Sequence, residues 1–315
     1  MPVSSPPPLV RTLPALRVGF SGSPAGPANE PPTLRLDLPW LAGAQTENIF
    51  PAVTSAGTRE GVELFHSGGL LLGHARAPFE TGDLAHHAQA LYRRVLAATR
   101  GLHLCRIWNY VPQINALTGG LERYRAFCQG RSLAFEREFG GAFQPLLPAA
   151  SAVGSSGAHL DVIFAASAHH PRHFENPAQI PAYHYPPEHG PRAPSFARAT
   201  VVRDGARTWT FVSGTAAIKG HQTIAPGSLD AQLDCTLDNL RLISHAVGIG
   251  ADLGAGRMKE RHFKIYLRHA ADLAAVQTRL DRDLLRAGDI VTYLHADICR
   301  VALAVEIEAT ILAEA

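Results

Sequence analysis

A glutamate near the end of the chain is the strongest candidate for an acid acting in a covered site. The segment Val301–Ala309 alternates in character, which predicts a strand with two distinct faces. The apolar face would carry Val301, Leu303, Val305 and Ile307, and the other Ala302, Ala304, Glu306 and Glu308. Small side chains beside Glu306 leave space for a molecule that is not protein. We therefore predict Glu306 as a catalytic acid; the alternative is an edge strand whose charged face meets water.

A second group of candidates has the chemistry to bind an anion. In the run LERYRAFCQGR, Tyr124 and Arg131 are two helical turns apart on one face, whereas Arg125 lies off that stripe. In the Pro-rich stretch PAYHYPPEHGPRAPSFARA, Tyr185 and Arg198 can hold a carboxylate through a hydroxyl and a planar guanidinium. The alternative is that Tyr124 belongs to the core and the other three lie on the surface.

The 16 histidines follow no metal-binding pattern. His169, His170 and His173 are close in sequence, but no HExxH motif or Cys/His ligand pattern accompanies them. The chain also lacks a phosphate-loop motif, a GxSxG elbow and a GxGxxG motif after a strand. These patterns favour chemistry on a small anionic molecule without a metal or an organic cofactor.

Alternating and helical periodicities indicate an α+β protein made from a duplicated module. Strands are expected at residues 62–66 and 70–72, 102–110, 160–166, 208–212 and 262–267. Helices are expected after Asp83 and Ser228, from about 121 to 139, and around residues 273–284. We predict a Pro-rich extended arm over residues 1–32, an N-terminal domain over 33–150, and a C-terminal domain over 151–315 that carries the acid.

Composition limits the classes of partner. The chain has 315 residues, 46% hydrophobic and 18% charged, with a formal net charge of +2. Nucleic acid is therefore not expected as the main ligand. No apolar run is long enough to span a bilayer, and the four scattered cysteines contain no CxxC pair. We expect a cytoplasmic protein that is a monomer or a homotrimer.

Two family resemblances rest on specific sequence segments. The segments FVSGTAAIKG, SLDAQLDCTLDNLRLISHAVG and VEIEA resemble the Rid/YjgF family of small trimeric proteins. The segments RIWNYVPQIN, LERYRAFCQGRSLAFE, AYHYPPEHGPRAPSFARA and ADICRVALAVEIEA resemble the chorismatase family. The chorismatase resemblance runs from about residue 106 to the C-terminus, and it implies two Rid/YjgF-like (chorismate mutase-like) modules.

The chorismatase resemblance implies cleavage of the enolpyruvyl ether of chorismate to release pyruvate, without a cofactor. It places the family's acid on Glu306 and its substrate-binding positions on Tyr124, Arg131, Tyr185 and Arg198. A cysteine seven residues before the acid resembles the branch that makes 3-hydroxybenzoate, and an alanine resembles the branch that makes a dihydroxycyclohexadiene carboxylate. Here that position is Cys299. A branch that makes both 3- and 4-hydroxybenzoate also remains open.

The role of Glu306 agrees with its chemistry, but an ideal strand would place Cys299 far from Glu306. Enol ether cleavage requires an acid that is still protonated near neutral pH, and desolvation can raise the pKa of Glu306 into that range. In an ideal strand, however, Cys299 would lie about 23 Å from Glu306, so the two share a pocket only if the chain bends between them. The alternatives are a Rid-like imine or enamine deaminase and a non-catalytic binding protein.

Overall fold

Two large sheets, two small two-stranded sheets and four α-helices make up most of the described part of the chain. The computed structural model describes residues 12–22, 34–79 and 81–314. In chain order the strands are β1 (Thr12–Ala15), β2 (Val18–Ser21), β3 (Leu34–Gly43), β4 (Thr46–Glu47), β5 (Pro51–Arg59), β6 (Val62–Ser67), β7 (Leu70–Pro78), β8 (His103–Pro112), β9 (Leu117–Thr118), β10 (Leu121–Glu122), β11 (Ala149–Ser155), β12 (His159–Ser167), β13 (Arg172–Phe174), β14 (Ala199–Asp204), β15 (Arg207–Thr215), β16 (Ile218–Lys219), β17 (Gln222–Thr223), β18 (Glu260–Leu267), β19 (Ile290–His295) and β20 (Val305–Glu314). The α-helices are α1 (Leu84–Ala98), α2 (Arg123–Phe139), α3 (Leu229–Val247) and α4 (Leu273–Asp283). Short 3-10 helices cover Gln144–Leu146, Ala182–His184, Pro187–His189 and Ala270–Asp272.

The strand order of the two sheets reveals the duplication. The first sheet contains the order β6-β7-β12-β8-β11, and the second contains β14-β15-β20-β18-β19. In each case a hairpin is followed by a helix, a strand, a second helix, a parallel strand and a final central strand. The parallel pairs β8/β11 and β18/β19 need crossover connections, which α2 and α4 provide. The predicted α+β fold with a duplicated module is therefore confirmed.

The helices cover the outer faces of the two sheets, whose inner faces pack against each other. One apolar cluster joins α1 and α2 to the first sheet, and another joins α3 and α4 to the second. A third cluster lies between the sheets, where Phe50 and Trp108 contact Trp209 and Phe211. This arrangement buries the inner faces of both sheets, so a polar group placed there must find partners within the protein.

The predicted helix starts agree with the structure. The Asp83 side chain accepts a hydrogen bond from the backbone of Ala85 at the start of α1, and Ser228 accepts one from Ala231 at the start of α3. These caps satisfy backbone donors that the first helical turn leaves free. The apolar stripes of both helices then face the sheets as expected.

Two parts of the predicted domain plan differ from the observed pairing. Residues 1–11 and 23–32 of the predicted arm lie outside the described residues, but β1 and β2 of that arm pair with β5 and β3. Over residues 12–22 the arm therefore contributes one short strand to each of the two large sheets. The boundary at residue 150 falls inside β11, and β12 still pairs within the first sheet. Because β11 and β12 both belong to the first sheet, we propose a division between the modules after Ser167.

None of the helices in residues 12–22, 34–79 and 81–314 is long and apolar enough to cross a membrane.

Candidate active site

A cavity of about 570 Å³ lies between α2 of the first module and the second sheet. All six residues predicted from the sequence line it: Tyr124, Arg131, Tyr185, Arg198, Cys299 and Glu306. They come from α2, from the Pro-rich segment between β13 and β14, and from the chain around the start of β20. The fold therefore brings the six predicted residues together from three distant segments.

Glu306 is a buried carboxyl group that lines this cavity. It lies on β20, which pairs with β15 on one side and β18 on the other, so the edge-strand alternative is wrong. Its side chain is 3% exposed, and its Oε1 atom has no hydrogen-bond partner among the described residues. Burial, with a further contribution from the charge of Glu308, raises the pKa of Glu306 to about 8. The group is therefore protonated at neutral pH.

Gly214 on β15 provides the space for this carboxyl group. A Cβ atom at that position would lie 1.9 Å from Glu306 Oε1, well inside van der Waals contact. The small residues Ala150, Ala152 and Ala216 line the same region. Space beside Glu306 was predicted from its own strand, and the neighbouring strand β15 also leaves room for it at Gly214. Of the predicted neighbours, Ala302 lines the cavity.

Glu308, two residues further along β20, has the opposite environment. Its carboxylate accepts hydrogen bonds from Arg106 at 2.7 Å, Trp108 at 2.8 Å and Ser151 at 2.5 Å, and pairs with Lys264 at 3.0 Å. Burial alone would raise its pKa, but Lys264 and Arg106 outweigh burial and lower it. Glu308 is therefore ionised, and its negative charge favours the protonated form of Glu306.

The buried network around Glu308 balances its own charge. Lys264 also pairs with Glu47 at 2.9 Å and donates to Tyr110 at 3.1 Å, while Arg106 is 0% exposed. Two cations thus face two carboxylates within the network. Because these charges cancel, Glu306 can stay neutral without leaving a buried cation unpaired.

The chain bends sharply between Cys299 and Glu306. Strand β20 begins at Val305, not at Val301 as predicted, and Val301 is 65% exposed instead of belonging to the core. Arg268 explains the bend, since its guanidinium donates to the carbonyl oxygens of Ile298, Arg300 and Leu303. On the other side, Gln232 donates to Ala302 and accepts from Ala304. The alternating pattern could not reveal these contacts, which come from remote segments.

This bend brings the Cys299 thiol into the same cavity as Glu306. Burial, followed by the nearby Glu306, raises the pKa of Cys299 to about 12. The sulfur is therefore a neutral thiol and not a thiolate at physiological pH. Cys299 also lies close to Tyr124 and Cys128 on α2.

Arg131 is a buried guanidinium without a carboxylate partner in the described part of the chain. It is 1% exposed, so its predicted alternative, a solvated surface arginine, is wrong. Its guanidinium lies 5.0 Å from the ring of Phe127, and its Nε atom has no hydrogen-bond partner within residues 12–22, 34–79 and 81–314. A buried cation is costly unless it is paired, so this site is suited to an anionic ligand. Arg125 also lines the cavity, but it pairs with Glu122 at 3.3 Å.

Arg198 and Tyr185 form a hydrogen-bonded pair in the same cavity. Arg198 Nη2 donates to the Tyr185 hydroxyl at 2.8 Å, and the guanidinium lies 4.9 Å from the ring of Phe196. Glu175 is 3.9 Å from Arg198 Nε, too far for a strong ion pair. Both predicted residues are buried, which contradicts the surface alternative.

Several further polar residues at this site were not predicted from the sequence. Arg106, Trp108 and Ser151 lie on β8 and β11, and only the fold places them beside Glu308. Arg300 also lines the cavity, with its guanidinium 5.4 Å from the Tyr185 ring. Arg106 and Trp108 stand in the quoted RIWNYVPQIN block, but nothing in that strand pattern assigns them a partner more than 150 residues away.

Fold and site together define a class of protein. A duplicated α+β scaffold places a protonated carboxyl group in one cavity with the buried guanidinium groups of Arg131 and Arg198, an arrangement that suits acid catalysis on a small anionic molecule.

Comparisons with known proteins identify the family. Residues 49–166 match the N-terminal domain of FkbO/Hyg5-like chorismatases. The chain is 35% identical over 289 residues to a 3-hydroxybenzoate synthase of Streptomyces hygroscopicus, covering 87% of this chain and 80% of that one. It is 38% identical over 237 residues to a chorismatase of the same organism, covering 73% and 68%. A crystal structure of a chorismatase superposes with a TM-score of 0.77 at 30% identity, covering 95% of this chain and 92% of the other. This chain belongs to the chorismatase family.

Proposed function

We propose that this protein cleaves the enolpyruvyl ether of chorismate and releases pyruvate and 3-hydroxybenzoate. The observation that carries the proposal is that Glu306 and Glu308 have opposite protonation states. One carboxyl group is protonated and unpartnered in the cavity, and the next one on the strand is ionised and fully paired. Two carboxyl groups whose environments separate their pKa values are typical of acid catalysis near neutral pH.

In the proposed reaction Glu306 donates its proton to the methylene carbon of the enol ether. The enolpyruvyl group then develops an oxocarbenium ion, and the Glu306 carboxylate left behind stabilises that charge. Capture of this ion by the neighbouring ring hydroxyl closes a cyclic ketal and returns the hydroxyl proton to Glu306. Loss of a ring proton and cleavage of one ring C–O bond then make the ring aromatic, and the departing oxygen takes up that proton. The hemiketal that remains breaks down to 3-hydroxybenzoate and pyruvate, so the two products contain all the atoms of chorismate. Capture by water would instead give the dihydroxycyclohexadiene carboxylate together with pyruvate.

Two guanidinium groups match the two carboxylates of chorismate. Arg131 with Tyr124, and Arg198 with Tyr185, are the groups that we assign to carboxylate binding. An imine or enamine deaminase of the Rid type has no need for both pairs, and membership of the chorismatase family also disfavours it.

The first test is incubation of the purified protein with chorismate, followed by chromatography of the products and an enzymatic pyruvate assay. Pyruvate with 3-hydroxybenzoate in equal amounts is the expected result. Pyruvate with the diene diol would keep the family activity and reject the proposed product. Absence of pyruvate would reject the proposal. We place the reaction in the cytoplasm, since all four cysteines are free thiols.

Replacement of Cys299 with alanine is expected to shift the product from 3-hydroxybenzoate towards the diene diol. The neutral thiol occupies cavity space near Glu306, and removing it opens a position from which water can capture the oxocarbenium ion. The ratio of the two products by chromatography measures the effect. Cys128→Ala, on the neighbouring helix, is the matched control and should keep the wild-type ratio. If Cys299→Ala makes only 3-hydroxybenzoate, the thiol does not determine which product forms.

Replacement of Arg131 with methionine is expected to raise KM for chorismate about 10- to 100-fold, because a hydrogen bond to a charged group contributes about 1.5–3 kcal/mol. Stability should not fall, because the substitution removes a buried cation that lacks a carboxylate partner among the described residues. Arg106→Met is the matched control. Arg106 is paired with Glu308 at 2.7 Å, so its loss should lower the free energy of unfolding. Steady-state kinetics and chemical denaturation give both quantities, and a destabilised Arg131→Met protein with unchanged KM would indicate a purely structural arginine.

A further inference from the structure

Three potential metal ligands converge at the exposed edge of the cavity. Glu188 and His189 belong to the 3-10 helix Pro187–His189, and His221 lies in the turn between β16 and β17. We call these three residues the edge triad. The two histidine side chains are mostly buried, and the carboxylate is exposed. The reaction proposed above uses none of them.

The spacing of three atoms in the triad matches one face of a tetrahedron. His189 Nε2 is 2.9 Å from His221 Nδ1 and 3.5 Å from Glu188 Oε1, and His221 Nδ1 is 3.4 Å from the same oxygen. Zinc bound to nitrogen and oxygen at about 2.0–2.1 Å requires ligand atoms about 3.3 Å apart. The three separations are therefore close to those of a zinc site before the metal enters.

We propose that the edge triad binds a zinc ion through His189 Nε2, His221 Nδ1 and Glu188 Oε1. Two imidazoles and one carboxylate form a common zinc ligand set that leaves a fourth position for water. The ion would replace the hydrogen bond between the two rings, which needs one imidazole proton. Gln222 would also have to move, because its amide nitrogen is 3.1 Å from His221 Nδ1.

The neighbouring charges set the expected strength of the site. The guanidinium of Arg300 donates to the backbone oxygen of His221 and to Thr223 Oγ1, so a cation stands close to the triad. Arg125 is also nearby. These charges oppose a divalent ion, and the single carboxylate of Glu188 offsets only part of them. The site should therefore be weaker than a structural zinc site and reversible by a chelator.

A bound ion would connect two segments that border the cavity. The segment around His189 carries Tyr185, whose ring centre is 5.1 Å from that of His189. Strand β17, which directly follows His221, supplies Gln222 and Thr223 to the lining. Joining the segments would restrict entry to the cavity and fix Tyr185 beside Arg198. Zinc should accordingly inhibit turnover, a consequence that rests on the proposed function, whereas binding of the ion does not.

The binding test is isothermal titration calorimetry of the full chain with zinc chloride. One ion per chain is expected for the wild type. His221→Gln should weaken binding by at least about 10-fold, since loss of even an outer-shell partner costs about 10- to 100-fold in metal affinity. His170→Gln is the matched control, because His170 is an exposed histidine outside the triad and should leave binding unchanged. Cobalt(II) in place of zinc should give the intense visible absorption of tetrahedral coordination in the wild type and lose it in His221→Gln.

The turnover test uses the same proteins with chorismate and equimolar to excess zinc. The wild type and His170→Gln should lose activity and regain it with a chelator, whereas His221→Gln should keep its own metal-free rate. Failure of the wild type to bind one ion, or equal binding by His221→Gln, would overturn the site itself, even if the enzyme is inactive on chorismate. If the wild type binds one zinc ion and its turnover of chorismate does not change, the inference that bound zinc restricts entry to the cavity is wrong.

Discussion

Replacing Glu306 with glutamine is expected to lower kcat for pyruvate release about 100- to 10,000-fold, the range that general acid catalysis contributes. Glutamine has nearly the same shape as the protonated carboxyl group, so the cavity and its arginines should stay in place. It has no proton that can be transferred to the enol ether. Steady-state assays of pyruvate release with saturating chorismate measure the loss. Glu314→Gln, the same substitution at the exposed end of β20, is the matched control and should retain wild-type kcat.

Stability measurements on the same variant separate loss of chemistry from loss of fold. The folded-state pKa of about 8 lies above the value of about 4.3 expected for an unfolded glutamate. Glu306 therefore binds a proton on folding at neutral pH, and it lowers the free energy of unfolding progressively as pH rises from about 4 to 8. Glutamine removes this penalty. The variant should match the wild type near pH 4 and exceed it in stability near pH 8. Wild-type turnover by Glu306→Gln would show that the proton comes from elsewhere.

The pH dependence of the wild-type enzyme follows from the same group. The pKa of about 8 belongs to the free protein, so kcat/KM is the quantity that reports it. Above this pH kcat/KM should fall about tenfold per pH unit as Glu306 ionises.

Local patterns predicted most of the elements because each pattern reports which face of a segment is buried. The caps at Asp83 and Ser228, the helix carrying Tyr124 and Arg131, and the strand carrying Glu306 follow from side-chain type and spacing alone. The segments that resemble the chorismatase family then connected these residues to the cleavage of chorismate. For that reason the six candidates could be named before their common cavity was known.

Contacts between distant segments could not be read in the same way. Arg268 and Gln232 hold the bend before β20, and this bend places Cys299 near Glu306, although an ideal strand would separate them. Glu308 looked equivalent to Glu306 in the alternating pattern. Their different protonation states depend on Arg106 and Lys264, which reach Glu308 from other strands. Long-range pairing of this kind leaves no periodic signal in one sequence.

Replacing Glu308 with glutamine is expected to lower the free energy of unfolding by about 3–5 kcal/mol and to shift the fall in kcat/KM to lower pH. The stability loss follows because Arg106 and Lys264 would then face one buried carboxylate instead of two. The pH shift follows because the Glu308 charge raises the pKa of Glu306, and its removal leaves Arg106 free to stabilise the ionised form. Chemical denaturation and the pH profile of kcat/KM measure the two effects. Glu308 would thus act by positioning the proton on Glu306 without touching the substrate.

Glu47→Gln distinguishes this role from a merely structural one. Glu47 pairs with the same Lys264 at 2.9 Å, so its loss removes an equal charge from the network and should also destabilise the fold. The charges that shift the pKa of Glu306 are those of Glu308, Arg106 and Arg198, and Glu47 is not among them. The pH profile of Glu47→Gln should therefore stay close to that of the wild type while that of Glu308→Gln moves. Equal profiles for the two variants would mean that Glu308 supports only the fold, and that burial alone keeps Glu306 protonated.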